Sequence, residues 1–296
     1  MKRVRFIGYA FSALALFAGG CNTTQDTLEE KSKGKNKVME YKNIVILSDL
    51  SSRISNLPNK DLEEIDKLLV FFKDKCVQPG RKLGDRSSIS FSTFSGKLAA
   101  KIDIEEISNL SQKQKMVNHE LDDRLRKFKD SVINIYETTR NPGLDLISVL
   151  IEKIQTENLV KDNGFYIQGK DTTFINYDNQ IHIFTDGYLE YIKNGVNNQF
   201  YFGVPEIDKV RKYCQLNSLS VHQALEKNPS LGLPAFRNEK YKNIALVIRE
   251  THDRGFNRIN QTYQYPLGLR DNEILEAVWR KWALDSGFRS LEWLKY

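Results

Sequence analysis

Three short polar clusters in this chain have the residue types to hold a hard cation. They are Asp49-Leu50-Ser51-Ser52, Thr138-Thr139 and Thr185-Asp186-Gly187. Two carboxylates with hydroxyls between them form an all-oxygen donor set, which suits Mg²⁺, Mn²⁺ or Ca²⁺ and not a thiolate-seeking metal. So few carboxylates leave the ion under-neutralised, and it then attracts an Asp or Glu from a partner. Arg53 stands beside the first cluster and offers no acceptor. Its guanidinium repels a cation. It can pair with Asp49 or Asp186 and fill the site without metal, or swing outward and leave the position to Ser52 or water. In the plainest reading, Asp49 and Ser51 cap the next helix and Asp186-Gly187 is a simple turn.

Other chemistry has thinner support. His119, His182, His222 and His252 are scattered, without an H-E-x-x-H pair. His182 lies between Ile181 and Ile183 and reads as a sheet residue. No Gly-x-Ser-x-Gly elbow is present, so a serine hydrolase would have to use Ser51 or Ser52 with His252 of the loop Thr251-His252-Asp253-Arg254-Gly255. Neither a G-x-G-x-x-G nor a P-loop occurs, so nucleotide binding is not expected. The chain has 44 Lys+Arg against 38 Asp+Glu. This thin excess is not the basic stripe that nucleic acid requires. A binding module, not an enzyme, is the expectation.

The elements that must position these clusters alternate between two periods. Residues 43–47 (NIVIL) and 180–185 (QIHIFT) are short, β-branched and apolar, like strands buried on both faces, and each ends at one of the clusters. Residues 88–94, 98–104 and 242–249 read as further strands. Residues 61–76, 111–136, 144–154 and 271–286 carry helical periodicity. The expected fold is α/β: a three-layer, doubly wound, mostly parallel sheet with helices on both faces. In such a sheet, ligands collect at the carboxyl ends of the strands, where the clusters fall. Residues 160–179 and 188–240 read as insertions into one domain spanning 42–296. The second insertion holds Tyr188, Tyr191, Phe200, Tyr201 and Phe202, either exposed to a protein or glycan partner or packed on one another. Trp279 and Trp282, spaced i and i+3, read as packing.

In this order the clusters resemble the von Willebrand factor type A domain and its metal-ion-dependent adhesion site. That family places Asp-x-Ser-x-Ser after its first strand, a Thr in a second loop and an Asp, often within Thr-Asp-Gly, in a third. Asp49 and Ser51 match the first motif, Thr139 (or Thr138) the second, and Asp186 the third. Residues 88–95 (SISFSTFS) resemble the family's second strand and its Thr-Phe-Ser turn. The resemblance covers roughly residues 42–250 and implies a Rossmann-like fold. It also implies docking through a divalent cation held by Asp49, Ser51, Thr139 and Asp186. Arg53, where the family has its second Ser, departs from the pattern.

The start of the chain reads as an address. Lys2, Arg3 and Arg5 precede an uncharged apolar run from Phe6 to Ala18, and Ala18-Gly19-Gly20-Cys21 closes it. The run is shorter than the roughly 20 residues that span a bilayer, and small residues before a cleavage point fit a signal peptide, residues 1–20. Cys21 resembles the acylated residue of a bacterial lipoprotein, the membrane being engaged through attached fatty acids such as palmitate. Asn22 in the next position leans the expected location to the outer membrane. Residues 21–41 read as a flexible tether. Removing residues 1–20 takes away three basic residues and no acids, so the formal charge falls from +6 to +3. Cys76 and Cys214 then remain, and in an oxidising compartment they could pair if their Cα atoms lie within about 7 Å.

Overall fold

A computed structural model describes residues 35–50, 59–77, 85–139, 143–193, 195–257, 259–265 and 268–295. The segment read as a signal peptide, together with Cys21, Ser51, Ser52 and Arg53, lies outside the described residues. The chain forms β1 (Asn36–Ser48), α1 (Asn59–Phe71) with a following π turn, β2 (Ser88–Thr93) and β3 (Leu98–Asp103). It continues through α2 (Leu110–Lys115), α3 (Leu121–Thr138) and α4 (Leu146–Thr156). Next come a hairpin of β4 (Gly164–Gln168) and β5 (Asp171–Thr185), and the short β6 (Ile192–Lys193) and β7 (Val196–Asn197). Then follow α5 (Val204–Asn217), α6 (Val221–Lys227) and β8 (Ile244–Glu250). A small hairpin of β9 (Phe256–Asn257) and β10 (Thr262–Tyr263), then α7 (Asp271–Ser286) and β11 (Ser290–Lys295), complete it.

The central sheet runs β3-β2-β1-β5-β8-β11, with β4 paired to β5. The pairs β1–β2, β1–β5, β5–β8 and β8–β11 are parallel; β3 and β4 are antiparallel to their neighbours. Counted without β4 and the two-residue strands, the order is 3-2-1-4-5-6, that of a doubly wound sheet. The winding reverses between β1 and β5, which places a crevice at their carboxyl ends.

Side-chain alternation divides the core into two layers. Val45, Leu47, Ile181, Ile183, Leu246 and Ile248 face α4, α5, α6 and α7. Ile44, Ile46, Ile89, Phe91 and Phe184 face α1 and α3. Every residue of β2 and β8 is buried, including Arg249 and Glu250 at the end of β8. Trp279 and Trp282 are fully buried and meet edge to face, ring centroids 5.7 Å apart. Cys76 and Cys214 are free and buried in opposite layers, so they do not pair.

Four expectations change. The fold begins at Asn36, inside the segment read as tether, because residues 36–42 extend β1 and pair with Thr172 to Asp178 of β5. Residues 160–179 are β4 and the first half of β5, one long strand of 15 residues, and not a separate insertion. Residues 188–240 contain α5 and α6, the crossover that a parallel β5–β8 pair requires. The chain closes on β11, SLEWLK, in which Leu291 and Trp293 are buried between more exposed residues; the sequence reading ended the fold at α7.

Candidate functional site at the carboxyl ends of the strands

Asp49 and Asp186 leave adjacent strands at the crevice. The backbone ladders run on past the strand ends: Asp49 N donates to Phe184 O at 2.9 Å, and Thr251 N to Thr185 O at 3.1 Å. Asp49 is 4% exposed and accepts from Thr185 Oγ1 at 3.2 Å. Thr185 Oγ1 in turn accepts from Gly187 N at 3.1 Å, closing the Thr-Asp-Gly turn. Gly187 is required twice over. Its φ is +84°, and a Cβ there would lie 2.6 Å from the Trp293 ring. Its carbonyl accepts from Trp279 Nε1 at 2.8 Å, which ties the turn to α7.

Asp186 is 7% exposed, and both of its oxygens are engaged. Oδ1 accepts from Tyr188 N at 3.2 Å. Oδ2 accepts from Arg254 Nε at 2.8 Å, with Nη2 at 2.7 Å. Arg254 also pairs with Glu190, and its guanidinium lies 4.0 Å over the Tyr188 ring. The loop that presents Arg254 is shaped by Asp253, whose carboxylate accepts from Gly255 N at 2.9 Å and Asn272 Nδ2 at 3.0 Å. Arg254 was missed in the sequence, because in a T-H-D-R-G loop the histidine and aspartate draw attention as base and ligand first.

Thr138 and Thr139 end α3, and the last turn of that helix is pinned to the same rim. Tyr136 Oη meets Ser48 Oγ at 2.8 Å and donates to Asp61 Oδ2 at 3.2 Å, with all three side chains buried. Thr138 Oγ1 is spent on Asn134 O at 2.7 Å within its own helix. Thr139 is the extended C-cap, its N bonded to Ile135 O. The structure gathers Asp49, Asp186 and the end of α3 at one rim. Ser51, Ser52 and Arg53 lie outside the described residues.

Among the described residues, Asp186 carries a guanidinium where a cation site would need its oxygens. A divalent ion needs carboxylate oxygens, and a guanidinium holds one of the two carboxylates. Among the described residues, no three His, Cys, Asp or Glu side chains gather as a metal site.

The aromatics of the 188–240 segment do not form an exposed platform. Tyr188, Phe200 and Phe202 are buried in the α4–α7 layer, while Tyr191 and Tyr201 are half-buried. Tyr188 Oη donates to Asp271 Oδ2 at 2.8 Å, and Asp271 pairs with the buried Arg211. Burial and Asp271 together push the phenol well above its ordinary value.

Beside the Arg254 loop lies a cleft of about 560 Å³ at the ends of β8 and β11, lined by Lys60, Glu250, Thr251, His252, Asp253 and Asn272 among others. Glu250 accepts from Trp293 Nε1 at 2.7 Å, and burial raises its pKa. Thr251 Oγ1 and Asn272 Oδ1 are buried acceptors without a hydrogen-bond donor among the described residues. Beneath the rim, Arg249 joins the core to charge: it pairs with Glu64 of α1, and its Nε donates to His182 Nδ1 at 3.2 Å. Burial, reinforced by Arg249, holds His182 down at about 3. His182 is thus a buried sheet residue whose ring is held in its neutral form.

The chain matches no model of a known protein family, and a search of the curated proteins finds none similar to it.

Proposed function

We propose that the protein is a binding module of the bacterial cell envelope, held to a membrane through a lipidated Cys21, that docks a protein partner at the carboxyl ends of β1, β5 and β8. The observation that carries this is the Arg254–Asp186 pair, in which Nε and Nη2 both hold Asp186 Oδ2, at the crevice where the winding reverses and where Asp49 is also buried. In a doubly wound sheet, that crevice is where ligands bind. Arg254 takes the place that a cation would occupy in the adhesion site this chain resembles, so the resting module works without metal. Arg254 stacked on Tyr188 and flanked by Glu190 is the kind of anchor on which interfaces concentrate their energy. Burial of Tyr188, Phe200 and Phe202 removes the aromatic platform that a glycan would stack upon, which favours a protein. Mg²⁺ or Mn²⁺ at Asp49, Ser51, Thr139 and Asp186 is the second reading. It is favoured by the burial of Asp49 at the same crevice, and it requires Arg254 to release Asp186.

The test is a photo-crosslinking side chain placed at Glu190 in the native envelope, with the same group at Leu216 on α5 as control. A discrete adduct is expected from position 190 alone, and it disappears when Arg254 is replaced by Glu. Equal labelling from both positions, or an adduct indifferent to Arg254, counts against docking at this rim.

A further inference from the structure

The amino end of the sheet carries a feature that the docking rim does not use. Past the ends of the helices, the first halves of β1 and β5 continue with β4 as a three-stranded blade. Across it, Val38 is in register with Phe174, and Phe174 with Phe165. These three side chains therefore stand on one face of the pleat, with Ile167 two residues further along β4 on the same face. Their exposures are 57% for Val38, 40% for Phe174, and 65% for both Phe165 and Ile167. The other face behaves differently: Tyr41, Ile175 and Tyr177 pack there into a cluster of their own, and Tyr177 Oη donates to Glu105 at 2.8 Å. β4 reads GFYIQ, with no charge to blunt it as an outer strand. An apolar row on neighbouring strands beside an uncharged edge is a surface that calls for a cover.

The chain enters the domain at this end. Lys35 N donates to Asp171 Oδ1 at 2.8 Å and Thr172 N donates to Lys35 O at 3.1 Å, which pins the entering backbone against the start of β5. Cys21 precedes Lys35 by 14 positions. Fully extended, that length spans at most about 50 Å, so a lipid on Cys21 keeps the blade close to the bilayer. β5 rises about 45 Å over its 15 residues, and the docking rim is at its far end. Lys37 and Lys170, both exposed, stand at the blade end, as suits anionic headgroups.

We propose that the row Val38, Phe165, Ile167 and Phe174 is a lipid-contacting surface. It lies in the boundary between headgroups and acyl chains and turns the docking rim away from the membrane. Contact at that depth leaves the edge of β4 hydrated, which an open strand edge needs. The inference deepens the lipid-anchor reading above and rests on it.

The test uses the full lipidated protein in phosphatidylethanolamine–phosphatidylglycerol vesicles with brominated acyl chains. The probes are Phe165→Trp and, as a control in the region beyond β8, Ile259→Trp. The emission added by each new tryptophan is read against the wild-type background. Phe165→Trp is expected to lose about half its added emission, since interfacial side chains sit roughly 5–10 Å below the headgroup boundary. Ile259→Trp loses none. Absence of quenching at both positions, or equal quenching at both, overturns the proposal. So does a Phe165→Trp blue shift that grows with protein concentration without vesicles, which would make the row an interface between copies. The anchor is read separately, by whether Cys21→Ala leaves the membrane fraction. If the anchor fails, quenching of Phe165→Trp on adding vesicles to the soluble protein still decides for the row.

Discussion

The two ends of β5 obey opposite rules. At its carboxyl end, buried charges answer one another: Asp186 with Arg254, Asp271 with Arg211, and Glu64 with Arg249 across the face of the strand. At its amino end, apolar side chains stand in solvent on one face of the blade. A buried ion pair is costly to break and adds little when intact. An exposed apolar row contributes little to the fold and is costly only in solution, through association. Neither arrangement is what stability alone would select. The difference is what the two proposed contacts call for, a polar one at the carboxyl end and a lipid one at the amino end.

Substitutions can break or sharpen this contrast. The largest effect is expected from Asp271→Ala, which leaves the buried Arg211 and the Tyr188 hydroxyl without their partner. Breaking such a pair costs about 3–5 kcal/mol, read as a fall in the urea midpoint. An unchanged midpoint would mean that the carboxyl rim is as loosely held as the blade.

Acid comes next. His182 is held at about 3 in the fold against about 6.5 in an unfolded chain, so the unfolded state binds a proton that the native state refuses. Its contribution is fully present above about pH 6.5 and is lost as pH falls, by about 3 kcal/mol at pH 4. Glu250, raised by burial, acts with the opposite sign and loses its contribution as pH rises. Denaturant midpoints at pH 7 and pH 4 should therefore converge in His182→Gln. If wild type and variant lose stability in parallel, the histidine is not the cause.

Arg254→Ala is expected to cost less, about 1 kcal/mol, because the guanidinium is partly exposed while Asp186 is buried. The smallest effect belongs to the blade. Phe165→Ser with Ile167→Ser should change the unfolding free energy by less than about 0.5 kcal/mol, since both side chains are mostly in solvent. A loss of several kcal/mol would show that the row packs against something within the chain, and the contrast between the ends would fail.

The layered sheet was legible because strands buried on both faces leave apolar runs such as NIVIL and QIHIFT, and α7 was legible from its helical period. Asp49 and Asp186 could be placed at strand ends because each follows such a run. The blade was not legible: β1 and β5 extend into polar sequence (NKVMEYK and DTTFINYDN), where pairing between the strands, and not burial, fixes the conformation. β11 was hidden by its brevity after a strong helix. Arg254 escaped because its partner lies 68 residues away, and only the register of β5 on β8 brings the two loops together.

The most direct measurement is calorimetric titration of Mn²⁺ into the wild-type protein, Arg254→Ala, and Arg254→Ala combined with Asp49→Ala. If Arg254 stands where a cation would, the wild type gives no saturable heat, the single variant gains it, and the double variant loses it again. Saturable binding to the wild type that disappears in Asp49→Ala alone would contradict a metal-free resting site.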